Sequence, residues 1–346
     1  MAMSEFDYDL PPELIAQVPL EDRSASRLLT LNRASGDISH RRFDELPNLL
    51  RTGDLLVLND SRVLPARLSG HRRSGGEVEL LLLRELEDRR WHVLMRPARR
   101  LRQNEEIVIR SRSGEPALEA IATVVEKGAE GEGVVELDQR LATNLRAYGR
   151  APLPPYISTQ LDDDERYQTV YAAHPGSAAA PTAGLHFTRA LFDGLADKGI
   201  GIAHVTLHVG LDTFRPVTAD YAEDHAIHRE WCSVPESAAV AIAAAKATGS
   251  RVVAVGTTAA RTLETFGDQI GPDSGRSFAG MTSKYIMPGY EWKIVDAMVT
   301  NFHLPKSTLL LMMSSFAGKP LLFEAYRQAV SHRYRFFSFG DAMLVE

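Results

Sequence analysis

Residues 296–318 read DAMVTNFHLPKSTLLLMMSSFAG. An apolar strand start, Ala297 to Val299, runs into a polar cluster of Thr300, Asn301, His303, Lys306, Ser307 and Thr308, where Pro305 breaks any regular element. A long apolar helix follows. Strand, polar junction and helix are the repeating unit of an α/β fold. Ligands gather at such junctions because a helix N-terminus offers unpaired N–H groups and the positive end of its dipole. A plain helix cap would read the same way, so the neighbouring segments decide.

The same pattern recurs upstream. Val252 to Val255, Gly256, then Thr257, Thr258 and Arg261 read as strand, glycine turn and helix. The turn matches neither GxGxxG nor a P-loop, so it points to neither a nicotinamide cofactor nor ATP. Residues 179–188, AAPTAGLHFT, place small residues before another helix, with Thr182, Gly184 and His186 inside the run and Thr188 as its N-cap. In 203–209, AHVTLHV, alternation sends Val205, Leu207 and Val209 to one face and His204, Thr206 and His208 to the other. Those two imidazoles lie about 13 Å apart at ~3.3 Å per residue and cannot share a metal. His225 and His228 follow, with Glu230 on the strand face of His228. No HExxH spacing appears, so proton transfer or hydrogen bonding suits these side chains better than metal binding.

The chain has 346 residues, enough for two domains, and 24% charged residues, as in an ordinary globular protein. From Leu64 to about Ala147 the texture is one of short apolar runs between glycine and charged turns: 78–83, 91–95, 107–109, 118–125 and 133–137. These predict a small β-barrel or sandwich. The proline-rich stretch 151–156 closes it. The simplest architecture is an α/β domain made from both ends of the chain, 1–63 and 154–346, with a β domain inserted at 64–153. Ser233 to Glu236 reads as a capping box for an alanine-rich helix.

A net charge of −6 argues against attachment to nucleic acid through bulk positive charge but permits a local basic face. Arg96, Arg99 and Arg100 follow Trp91, and Arg333 and Arg335 interleave with Tyr334 and Phe336. Guanidinium groups for phosphates beside rings for bases are the pattern expected for RNA. The single cysteine, Cys232, excludes an intrachain disulfide and a cysteine-rich zinc site, and reads as a small core residue. The first residues lack the apolar core of a signal peptide, and no apolar run approaches the ~20 residues that span a bilayer. The reading is cytoplasmic.

Taken in order, FDYDLPPELIAQ (6–17), GDLLVLNDSRVLPARL (53–68), RYQTVYA (166–172), HVTLHVG (204–210), IHREW (227–231), GTTAARTLE (256–264), the stretch from Pro288 to Gly318 and AYRQAVSHRYRFFSFGDAML (325–344) resemble the S-adenosylmethionine:tRNA ribosyltransferase-isomerase (QueA) family over essentially the whole chain. The resemblance implies a transferase of queuosine biosynthesis with a discontinuous α/β main domain, carrying the active-site cleft, and an inserted small β-barrel domain. Its enzymes move and isomerise the ribosyl part of S-adenosylmethionine onto 7-aminomethyl-7-deazaguanine (preQ1) at the tRNA wobble position. Epoxyqueuosine forms, and adenine and methionine leave. S-adenosylmethionine is consumed as a substrate; no metal or other cofactor is implied, no membrane is involved, and a monomer is expected.

On that resemblance His186, His208, His228 and His303 are the candidate proton carriers, with Glu230 beside them. Thr257, Thr258, Arg261 and Gly256 are candidates for the methionine carboxylate. Asn301, Lys306 and Ser307 suit ribose or adenine, and Asn59, Asp60, Arg62 and Arg67 complete the cleft or touch RNA. The chain departs from the family pattern at Asp212, where a glycine is usual, at Lys284, where an acid is common, and at Asn104 in a barrel turn. Two other readings remain: a different S-adenosylmethionine-dependent RNA enzyme such as a methyltransferase, which would yield S-adenosylhomocysteine, and a non-catalytic RNA-binding protein, which would bind without turnover.

Overall fold

The structure is a computed structural model that describes residues 1–115, 118–210 and 219–346. The departure at Asp212 lies outside the described residues. The chain forms two compact units, Met1–Arg62 with Pro155–Glu346, and Val63–Pro154.

In the first unit, β1 (Arg27–Leu31) and β2 (Ile38–Arg42) form a hairpin, followed by the single turn α1 (Leu46–Leu49) and by β3 (Leu55–Asn59). All five residues of β3 are buried, as a strand covered on both faces requires. The short β4 (Ser61–Val63) carries the chain out of this unit.

The second unit is a closed barrel of β5 (Arg67–Arg72), β6 (Glu77–Glu85), β7 (Arg90–Arg96), β8 (Glu106–Ile109), β9 (Ala120–Lys127) and β10 (Glu132–Leu137), in the order β10-β7-β6-β5-β8-β9. Strict alternation in β6, β7 and β9 turns Leu80, Leu82, Val93, Ala122 and Val124 into a core of its own. α2 (Gln139–Thr143) packs on β9 and β10 and is capped by Asp138, which accepts from Leu141 N at 2.7 Å. Asn104 has φ +62°, the left-handed conformation that a turn glycine would supply and that asparagine tolerates.

Back in the first unit come β11 (His174–Ser177), α3 (Arg189–Asp197), β12 (Gly201–Leu207), β13 (Glu230–Val234), α4 (Glu236–Ala247), β14 (Val252–Val255), α5 (Thr257–Gln269), β15 (Phe278–Thr282), β16 (Ala297–Asn301), α6 (Thr308–Ala317), α7 (Lys319–Ser331) and β17 (Ala342–Val345). Nine strands form one sheet in the order β15-β13-β12-β3-β14-β16-β17-β1-β2. Two apolar layers sandwich it. One joins Val57, Val205 and Ala254 to α4, α5, α6 and α7; the other joins Leu56, Leu58 and Val253 to α1 and α3. The fold is α/β with a closed antiparallel barrel, as the sequence predicts.

β12, β3, β14 and β16 run parallel, so their C-terminal ends share one edge. The chain leaves β3 for β12 on one side and then crosses to β14 on the other. Such a reversal opens a crevice at that edge.

The capping box expected at Ser233 does not form. β13 continues through Val234, Ser233 pairs with Thr206 and Ala279, and Pro235 holds the N-cap position without a side-chain bond. Two flanking strands offer Ser233 a ladder, which outweighs a cap contribution of about 1 kcal/mol. Ser307 does cap its helix: its Oγ accepts from Leu310 N at 3.2 Å and donates to Leu304 O at 2.7 Å. Ser307→Ala is expected to cost about 1 kcal/mol in urea denaturation, with an unchanged slope.

Candidate active site

The crevice holds a cavity built from segments distant in sequence. Gly256, Thr257 and Thr258 come from the β14–α5 turn, Thr300 to Thr308 from β16 and the start of α6, Ala179 to Ala183 from the small-residue run, and Tyr156, Phe337 and Ser338 from two loops. Gly256 sits at φ +86°, where a side chain is disfavoured, and no side chain caps α5. The positive end of that helix is therefore open to the cavity. Beside it Thr258 Oγ1 is buried without a hydrogen-bond partner. Tyr156 stacks on Phe337 with centroids 4.7 Å apart, and its hydroxyl lies 2.7 Å from Ser338 Oγ.

Asn301 knits the cavity wall together. Its Oδ1 accepts from Thr182 Oγ1 at 3.0 Å, and its Nδ2 donates to Phe337 O at 3.1 Å. The same Nδ2 lies 3.3 Å from His186 Nε2. His186 Nδ1 in turn faces Ser26 Oγ at 3.0 Å, and Ser26 Oγ donates to Arg23 O. With Nε2 accepting, Nδ1 carries the proton and the chain of donors closes. His186, stacked on Phe43, stands behind Asn301 and does not line the cavity. His303 does line it, with Nε2 2.9 Å from Thr300 Oγ1 and its backbone N donating to Tyr326 Oη.

Burial pushes His186 down to about 4 and His303 down to about 3, from an ordinary value of 6.5. Both imidazoles are neutral near pH 7. In the unfolded chain they take up protons below 6.5, so the unfolded state binds more protons between 6.5 and about 4. Stability is therefore intact above 6.5 and falls with decreasing pH, by ~1.4 kcal/mol per pH unit for each imidazole. Denaturation midpoints are expected to drop between pH 7 and pH 5, and His303→Gln should flatten that drop.

A second cavity borders the first at Thr308 and Leu309. It is lined by Glu230, Arg261, His225, His228, Lys284 and Tyr285. Glu230 and Arg261 form a buried ion pair, and Glu230 Oε1 also accepts from Gly210 N at 2.8 Å. Arg261 Nε donates to Lys284 O, while its Nη2 is buried with no partner. Lys284 turns its ammonium onto Asp268 and over the Tyr290 ring. Arg261 thus faces a different cavity from Thr257 and Thr258.

Across residues 3–345 the chain matches the model of a family described as queuosine biosynthesis protein. The chain belongs to that family. It is 52% identical, over all of both chains, to the S-adenosylmethionine:tRNA ribosyltransferase-isomerase of Symbiobacterium thermophilum. It also resembles the crystal structure of the S-adenosylmethionine tRNA ribosyltransferase of Thermotoga maritima, with a TM-score of 0.57 and 39% identity over 99% of this chain and all of the other.

Several residues of the family motifs lie outside both cavities. Asn59 fastens the ends of β3 and β12: it accepts from Leu207 N at 3.0 Å and Ser61 N at 3.1 Å and donates to Leu207 O at 3.1 Å. Asp60 accepts from Thr206 Oγ1 at 2.7 Å and lies 3.1 Å from His174 Nδ1. His208 stacks on Trp231, its Nδ1 buried and unpartnered, and burial lowers its pKa. Gly184 admits a close approach, since a Cβ there would fall 2.0 Å from Tyr171 Oη. Thr188 caps α3. Lys306 lines the first cavity and pairs with Asp7 at 2.7 Å.

Arg62 pairs with Glu165 in the first unit; Arg67 lies on β5 of the barrel, 3.8 Å from Glu79. Arg96, Arg99 and Arg100 are exposed on the barrel. Arg333 is exposed, whereas Arg335 is half-buried and donates to Val18 O, and the rings of Tyr334 and Phe336 are buried. Cys232 is fully buried, and burial raises its thiol to about 11.

Sequence reasoning passed over His174, Tyr156 and Tyr285. Tyr156 closes the proline-rich run, and Tyr285 shares its segment with Lys284. Among the described residues, no group of three or more His, Cys, Asp or Glu side chains is placed to hold a metal ion. Nor is any described helix long and apolar enough to cross a membrane.

Proposed function

We propose that the chain transfers and isomerises the ribosyl moiety of S-adenosylmethionine onto preQ1 at the wobble position of tRNA, releasing adenine and methionine and leaving epoxyqueuosine. The observation that carries this reading is the cavity at the parallel strand ends, with an uncapped helix N-terminus and an unsatisfied Thr258 hydroxyl, in a chain of the queuosine biosynthesis family. S-adenosylmethionine is a substrate here, and the reading calls for no metal or redox cofactor.

The first cavity suits the nucleoside. Tyr156 and Phe337 supply aromatic faces for adenine. Thr257, Thr258, Asn301 and Ser307 supply hydroxyl and amide groups for the ribose. The sulfonium acidifies C5′, and a base takes a proton there. The neutral state of His303 leaves it a lone pair for that contact, though its lowered pKa makes it a weak base, better at holding a hydrogen bond than at storing a proton. His186 acts one step back by fixing Asn301. His208, His228 and Glu230 complete the set of candidate proton carriers.

For tRNA, we assign phosphate contacts to Arg96, Arg99 and Arg100 on the barrel and to Arg333. Arg335 acts through its anchoring of the loop. Replacing Arg99 and Arg100 together by serine is expected to make the dependence of log affinity on log salt shallower by about 1 to 2. An unchanged slope in anticodon stem-loop binding would remove them from the interface. The same reading makes the protein a cytoplasmic monomer, which sedimentation in the presence and absence of tRNA checks.

The test is a product assay with S-adenosylmethionine and a preQ1-bearing anticodon stem-loop. Epoxyqueuosine by nucleoside mass, with equimolar free adenine, is the expected result. S-adenosylhomocysteine with a methylated nucleoside would establish a methyltransferase instead, and bound but unaltered RNA would establish a binding protein.

A further inference from the structure

Resting on the reading above, we infer that the second cavity receives the amino-acid end of S-adenosylmethionine: its carboxylate sits between Arg261 Nη2 and the Tyr285 hydroxyl, and its ammonium faces Glu230. Two buried donors of this cavity are unsatisfied. Arg261 is only 6% exposed, yet one of its two terminal nitrogens is buried with no hydrogen-bond partner. Leaving a buried charged donor unpaired is costly unless something arrives to pair with it. The hydroxyl of Tyr285, which lines the same cavity, is also buried and unpartnered. Burial and then the charge of Glu223 raise this phenol to about 12, so it stays protonated and can donate.

Two donors, one of them cationic, call for an anionic acceptor group. Glu230 is the only carboxylate lining the cavity among the described residues, and its pair with Arg261 orients it. A buried cation and a buried anion side by side match a zwitterion better than a simple anion. His225, His228 and a second arginine, Arg229, also line the wall. Lys284, which also lines it, spends its ammonium on Asp268, and its carbonyl helps to aim Arg261. The departure at Lys284 therefore leaves the donor set intact. Thr308 and Leu309 are common to both cavities, so one ligand can lay its nucleoside in the first and its amino acid in the second.

Two ligands separate the subsites. S-adenosylmethionine has both ends; 5′-methylthioadenosine keeps the nucleoside and sulfur but lacks the amino acid. Calorimetric affinities for both are measured with the wild-type protein and with Tyr285→Phe, which removes one oxygen from a lining side chain. Arg261→Lys is the second variant, and melting temperatures report whether each is folded. Tyr285→Phe is expected to weaken S-adenosylmethionine roughly tenfold or more and to leave 5′-methylthioadenosine unchanged. Arg261→Lys should do the same more strongly, because a lysine cannot serve Glu230 and a carboxylate together.

Equal losses for both ligands, or unchanged S-adenosylmethionine binding in Tyr285→Phe, would overturn the assignment while wild-type turnover left the proposed reaction standing. A wild-type protein that neither binds S-adenosylmethionine nor releases adenine would overturn the reaction and the subsite with it.

Discussion

Glu264→Ala is expected to destabilise the α/β unit by ~3–5 kcal/mol. Glu264 lies in α5, where a glutamate would ordinarily face water, yet it is fully buried. Its Oε1 accepts from Ile294 N and Val295 N, both at 3.0 Å, and its Oε2 from Lys293 N at 2.9 Å and Tyr290 Oη at 2.8 Å. One carboxylate thus satisfies three successive backbone donors in the segment that leads into β16. Without it those N–H groups lose their partners inside the protein, at about 1–3 kcal/mol each where water cannot reach them. Loop relaxation brings the sum down to the range given. Glu264→Gln should fall between alanine and wild type, because its one carbonyl oxygen still accepts. Urea midpoints for the three proteins test this; an unchanged midpoint in Glu264→Ala would show that the loop rehydrates at no cost.

Asn301→Ala is expected to lower kcat/KM about 100-fold, equivalent to ~2.7 kcal/mol of transition-state stabilisation. The carboxamide joins Thr182, His186 and Phe337, so its loss frees three parts of one cavity wall together. A displacement of reacting groups by about 1 Å suffices for that effect. The substitution should also cost ~2–4 kcal/mol in stability, since Thr182 Oγ1 and His186 Nε2 are left unpaired and Phe337 O keeps only Gly340 N at 2.9 Å. Ser26→Ala is the control. It removes the far end of the same network, and a loss of rate comparable to that of Asn301→Ala would move the effect from Asn301 to the tautomer of His186.

The parallel strands were legible because burial on both faces writes an unbroken apolar run, as in β3 and β14, and because each ends in a glycine or polar turn. Five of the six barrel strands, β6 to β10, were legible as short apolar runs between glycine and charged turns; β5 carries no such run. β13 and β15 were harder. β15 is the edge strand and β13 lies next to it; there Trp231 and Met281 are 39% and 47% exposed, so apolar residues point outward and the period is blurred. Ser233 shows the limit of local chemistry: its sequence neighbours say cap, while strands more than twenty residues away say ladder.

The site followed the same rule. Thr257, Thr258, Asn301 and His303 line one cavity, as their places at strand ends suggest. The position of His186 depends on Ser26, 160 residues away, and no spacing rule reaches that far. Glu264 and Tyr285 carry no local mark, because their roles are set by a loop and a cavity that exist only in the folded chain.

β17 follows every other described strand in the chain, yet it lies between β16 and β1, antiparallel to the first and parallel to the second. During synthesis the β1–β2 hairpin and the edge of β16 therefore wait with unpaired N–H and C=O groups until the last strand of the sheet leaves the ribosome. The nascent chain holds a six-stranded and a two-stranded piece that nothing yet joins. Such open edges are templates for pairing with another chain. The topology that frames the crevice thus leaves the closing of the sheet to its last strand, and a cut before Ala342 would leave both edges open in the final product.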